Sequence, residues 1–86
     1  MAPESGWWDE PVKVMLGKSV TVHHVSNNLQ AADILLHKWP TKGGAKQRAA
    51  REAVLKAMER TQDRVTLAKA QKAFAEAAKE ADILIG

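Results

Sequence analysis

Apolar and polar residues alternate over Pro11-Val12-Lys13-Val14-Met15-Leu16 and again over Val20-Thr21-Val22-His23-His24, the period-two pattern of strands with one buried face. Gly17-Lys18-Ser19 lies between them. A two-residue turn at Gly17-Lys18 sets Val14 opposite Thr21, whereas a three-residue loop sets Leu16 opposite Val20 and Val14 opposite Val22. A slip of one residue turns every side chain to the wrong face, so the longer loop is the better fit. The pattern predicts a β-hairpin over residues 11–25, after a polar lead-in over residues 1–10.

The period then changes to that of helices. Asn27 is a capping residue with Gln30 three positions on, and Leu29, Ala32, Leu35, Leu36 and Trp39 recur at three- and four-residue spacing. A helix over residues 27–38 is expected, with that stripe inward, Ile34 off it and exposed, and Pro40 as the stop. Thr41-Lys42-Gly43-Gly44 reads as a loop. A second helix, 45–61, carries Ala50, Val54, Ala57 and Met58 on one face. Arg48, Glu52 and Lys56 stand one turn apart on the other, spaced for ion pairs. Residues 62–65 read as the next connection. Thr66 is then the expected cap of a third helix, 66–81, whose inner face is Leu67, Ala70, Phe74, Ala77, Ala78 and Ala81.

Twelve of the residues from Ala45 to Ala81 are alanine. Alanine favours helix but covers little area, so the second and third helices must approach closely as an antiparallel pair. The tail, residues 82–86, is apolar and either packs as an extended segment or adds a third strand. The predicted fold class is α+β: an N-terminal hairpin packed on three helices in a single domain spanning residues 1–86.

With 86 residues there is room for one core, and with no cysteine it holds without disulfides or thiolate metal sites. The net charge of +3 is modest, but eight basic and three acidic side chains fall between Lys38 and Arg64. No apolar run approaches the roughly 18 residues of a membrane span, and residues 1–6 lack the form of a secretory signal. The expected location is the cytoplasm.

Trp8-x-x-Pro11-Val12-x-Val14, Gln30-Ala31-Ala32-x-x-Leu35-Leu36-x-x-Trp39-Pro40, Arg48-Ala49-Ala50 and Ala70-x-x-Ala73-Phe74-x-x-Ala77-Ala78-x-Glu80-Ala81-x-Ile83 together resemble the bacterial family called domain of unknown function 982. The resemblance spans nearly the whole chain; the Leu-Leu-x-x-Trp-Pro and Ala-Phe-Ala-Ala-Glu-Ala segments are its specific parts. It implies a small α+β bacterial protein without an assigned activity. The sequence departs from that pattern at Gln47, where a His is expected, at Val54, where a Cys is usual, and at Arg60, where the helix commonly ends in Gly.

Candidate chemistry is sparse. His23 and His24 point to opposite faces of a strand, and His37 falls on the polar side of its helix, so no metal site or histidine-based catalysis is expected. No catalytic residues and no cofactor are assigned. Lys42, Gly43, Gly44, Lys46, Arg48 and Arg51 combine a glycine-rich helix entry with cations, the ingredients of an anion or nucleic-acid contact. The plainer reading of that stretch is a helix-to-helix connection with solvated lysines. Trp7, Ile34 and Leu55 are the candidate protein-contact residues. The favoured expectation is a noncatalytic protein-interaction module, binding an unidentified protein or a second copy of itself. The alternative is nucleic-acid or phosphate binding through Lys42 to Arg51.

Overall fold

The computed structural model describes residues 7–16, 22–39, 44–59 and 63–85, the side chains of Trp7 and Asp9 excepted. Strand β1 (Trp7–Met15) pairs antiparallel with β2 (Val22–Asn27). The chain then forms α1 (Asn28–Asp33), which widens into a π-helical turn (Ile34–Lys38), followed by α2 (Ala45–Glu59) and α3 (Arg64–Glu80). This is the expected α+β order, a hairpin followed by helices. The broadest contact is between α2 and α3. Ala50, Ala57, Ala70, Ala77 and Ala78 lie there with almost no exposure, so small side chains do let the two helices close on each other.

The hairpin differs from the sequence expectation in extent and in register. It begins at Trp7 rather than residue 11, because Trp8 turns inward to pack on Phe74, with ring centroids 5.6 Å apart. Pairing breaks register between Trp7 and Val12, an irregularity that admits Pro11, which has no N–H to donate. Val14 lies opposite His23, and Val22 lies opposite Met15 on the outer face. The inward residues of β2 are therefore His23 and Val25. β2 runs without a loop into α1, so the residue beneath that helix decides the register, and it is Val25, 1% exposed and opposite Val12. Residues 17–21, where the three-residue loop is expected, lie outside the described residues.

Two helix starts carry caps. Asn27 Oδ1 accepts from the Gln30 amide at 2.8 Å, and Gln30 Oε1 accepts from the Ser26 amide at 2.7 Å, a capping box displaced by one residue. The third helix starts two residues earlier than expected because Asp63, not Thr66, is its cap. The carboxylate accepts from the Val65 and Thr66 amides and from the Thr66 hydroxyl. A charged acceptor at this place also meets the positive end of the helix, which a threonine there would not.

At the other end of α3, Asp82 adopts φ 60°. The Asp82 amide donates to Lys79 O and the Ile83 amide to Ala78 O, closing a Schellman turn. This reversal brings the tail alongside β1, where the Met15 amide donates to Ile83 O and the Ile85 amide to Lys13 O, both at 2.9 Å. Leu84 bridges Val14. The tail thus pairs with the outer edge of β1 over a single bridge. Glycine at position 82 removes the left-handed strain, so Asp82→Gly should raise the urea-unfolding free energy by up to about 1 kcal/mol. Asp82→Val should lower it by at least as much.

Candidate functional site

Helix α1 sits between the sheet and α2, and its burial departs from the apolar stripe. Ile34 is only 5% exposed, so it belongs to the core and is not a surface contact residue. Leu29 and Leu36, expected inside, are 71% and 48% exposed. The physical reason is Asn28. It is buried, its Oδ1 accepting from Trp8 Nε1 at 2.9 Å, and together with Ala31 and Leu35 it forms the true inner face at i, i+3 and i+7. A polar residue on that face conceals it from a reading of apolar positions. Asn28 Nδ2 has no hydrogen-bond partner.

Leu29 on α1 and Leu36 in the π-helical turn both face water, while Ala32 between them is 8% exposed and belongs to the core. Leu55 on α2 is 45% exposed and Val65 at the start of α3 is 61% exposed. Together with Met15, these are the large apolar side chains left in water among the described residues. The backbone of Trp7 pairs opposite Asn27, and its side chain lies outside the described residues.

In the cationic segment, Lys42 and Gly43 lie outside the described residues. Gly44, Lys46 and Arg48 are exposed and Arg51 is half-buried. Carboxylates of α3 meet the start of α2: Lys46 Nζ lies 3.6 Å from Glu76 Oε1, and a Cβ on Gly44 would come 3.1 Å from Glu80 Oε1. Glu76 and Glu80 thus stand beside Lys46 and Gly44. The expected pairs of Glu52 with Arg48 and Lys56 do not close, whereas Lys46 pairs with Glu76 and Lys38 with Asp33.

Gln47 is a site residue that charge and periodicity do not reveal. It is buried on α2, and its Nε2 donates to Leu35 O at 2.9 Å. Leu35 lies in the π-helical turn, where an i→i+5 bond would fall on Pro40, which has no N–H. Gln47 supplies the missing donor and fastens α1 to α2. Val54, another departure from the family pattern, is fully buried, whereas Arg60 lies outside the described residues.

His23, His24 and Val25 of β2, with Gln30, Asp33, Ile34 and Lys38, line a shallow hollow of about 170 Å³. Asp33 and Lys38 form an exposed ion pair at 3.1 Å within it. A second open hollow, about 450 Å³, lies between Glu10–Lys13 of β1 and Ala75 and Leu84. His37 is exposed. Among the described residues, no three imidazole or carboxylate groups come together and no helix is long and apolar enough to cross a membrane.

The family described as protein of unknown function (DUF982) matches residues 10–85, nearly the whole chain. Among curated proteins and among solved structures, none matches the chain. Replacing Gln47 by Ala strands the buried Leu35 carbonyl and should cost about 1–3 kcal/mol in urea unfolding. Gln47→His keeps a donor and should cost less.

Proposed function

The chain belongs to the DUF982 family, and we propose that it works as a noncatalytic protein-interaction module of the bacterial cytoplasm. The observation that carries this reading is the exposure of Leu29 on the first helix and of Leu36 in its π-helical turn. Each fully buried leucine is worth about 1.5–3 kcal/mol relative to water, so two of them form an anchor pair for an apolar groove on a partner. They rest on a helix held at both ends, by the Asn27 cap and by Gln47 on Leu35 O. A docking surface on such a rigid support loses little entropy on binding.

Residues that recognise a partner are replaceable without harm to the fold, and this separates docking from packing. Leu29→Glu/Leu36→Glu should change the unfolding free energy by less than about 1 kcal/mol, since both side chains are already exposed. In the native host, affinity capture with the wild-type chain should enrich a protein that the double variant loses and that a Lys69→Glu control on α3 retains. Equal recovery by all three chains would overturn the assignment of docking to this helix.

A further inference from the structure

We propose that the surface between the first helix and α2 takes an acidic amphipathic helix of another protein, its apolar side chains on Leu29, Leu36 and Leu55 and its carboxylates on Arg48 and Arg51. This rests on the docking reading above and names the chemistry of the partner.

The surface follows from how each helix is turned. On the first helix, Gln30, Asp33, Ile34 and Lys38 face the hollow beside β2. Ile34 precedes the inward Leu35, whereas Leu36 follows it, and Leu29 likewise follows the inward Asn28. A helix turns each step in the same sense, so both leucines lie on the flank opposite Ile34, where α2 packs.

Helix α2 turns a matching flank toward them. It touches both α1 and the π-helical turn, and its Gln47 reaches Leu35 O, so it runs back along the first helix. Lys46 pairs with Glu76 of α3, while Gln47, one step on, faces the first helix. Arg51 stands one turn and Leu55 two turns beyond Gln47 on that flank, and Arg48 stands two turns before Leu55.

The partner's charge is read from these cations. Lys46 and Lys38 are paired with Glu76 and Asp33, and both pairs lie on other flanks. Among the described residues Arg48 and Arg51 make no ion pair or hydrogen bond, although Arg51 is half-buried. A guanidinium taken partly out of water without an acceptor is completed by a carboxylate, which it grips with two parallel N–H donors. The partner is a helix because two neighbouring helices leave a groove that accepts a third, read through apolar side chains at i, i+4 and i+7.

The probe is a displayed library of helical peptides with leucine fixed at i, i+4 and i+7 and the flanking positions varied, selected on the full chain. Selection should enrich Glu and Asp at the flanks. Fluorescence anisotropy of a selected peptide should show binding weakened about tenfold by Arg48→Gln/Arg51→Gln, and about as much by Leu55→Glu, with native circular dichroism in both. The glutamines keep the side-chain stems over the apolar surface and remove the charge. Arg48→Glu, at an exposed position, carries the charge test should the double variant fail to fold.

Flanks that emerge neutral or basic overturn the proposal. So does a library that yields no binder at about 0.1 mM, or a peptide held equally by the arginine variants. A chain that sediments as a dimer through Arg48 and Arg51 assigns the surface to a second copy, and one that shifts a DNA duplex in a gel through them assigns it to phosphates; each overturns the peptide partner. A peptide that needs Leu29 and Leu36 but not the arginines upholds docking and overturns only the acidic partner. A peptide that needs the arginines and Leu55 but survives Leu29→Glu/Leu36→Glu overturns docking on the first helix and leaves the acidic preference of α2 standing.

Discussion

The Phe74 ring, with no exposure of its own, touches Trp8 of β1 at 5.6 Å between centroids and Trp39 after the π-helical turn at 6.0 Å. One side chain of α3 therefore joins the sheet, the end of the first helix and the helical pair. The second ring contact is edge-to-face, 70° between planes, an arrangement that places the positive ring edge against the negative face. A chain of 86 residues buries a smaller share of its surface than a large one, and its alanine faces add little area each. The three aromatic rings supply the bulk that the alanines lack. Where the alanines are closest, between α2 and α3, the gain is in contact distance and not in area.

Aromatic packing of this kind brings polar atoms inward with it, and the protein answers by fixing each one locally. Trp8 carries an N–H into the core, and Asn28 at the start of α1 accepts it. The π-helical turn leaves Leu35 O without a helical donor, and Gln47 from α2 reaches it. Both bonds join separate elements, so satisfying a buried polar group also sets how the elements lie against one another. The unpartnered Asn28 Nδ2 is the remaining cost, and the amide cannot be turned to relieve it without opposing the Trp8 N–H with a second donor.

These polar anchors explain what could and could not be seen in the amino-acid order. The second and third helices were legible because their inner faces are apolar throughout: Ala50, Val54 and Ala57 on one, Ala70, Phe74, Ala77 and Ala78 on the other. The first helix was legible as a helix, but its orientation was not, since Asn28 stands on the inner face and Leu29 and Leu36 stand outside it. The strand pairing was missed by one residue for a related reason. Val20 and Val22 alternate more plainly than His23 and Val25, yet the chain enters α1 directly after β2, and only Val25 is placed to lie beneath it. The candidate site followed the same logic. Ile34 falls off the apolar stripe and so reads as a surface residue, and nothing in the amino-acid order places Glu76 and Glu80 of α3 beside Lys46 and Gly44.

The two edges of the sheet are treated unequally. β1 carries Pro11 and Lys13, residues that discourage an added strand, yet it is the edge that the protein's own tail already covers. β2 carries neither; no strand lies on its far side among the described residues, and Gln30 Oε1 takes the Ser26 N–H there. A two-stranded sheet is marginal in water, and here it draws support from helices on one face only, with Lys13, Met15 and His24 left outward on the other. The Gln30 side chain itself guards that edge: its Oε1 takes the outward Ser26 N–H, so the residue that completes the capping box also closes one of the positions where a further strand would pair.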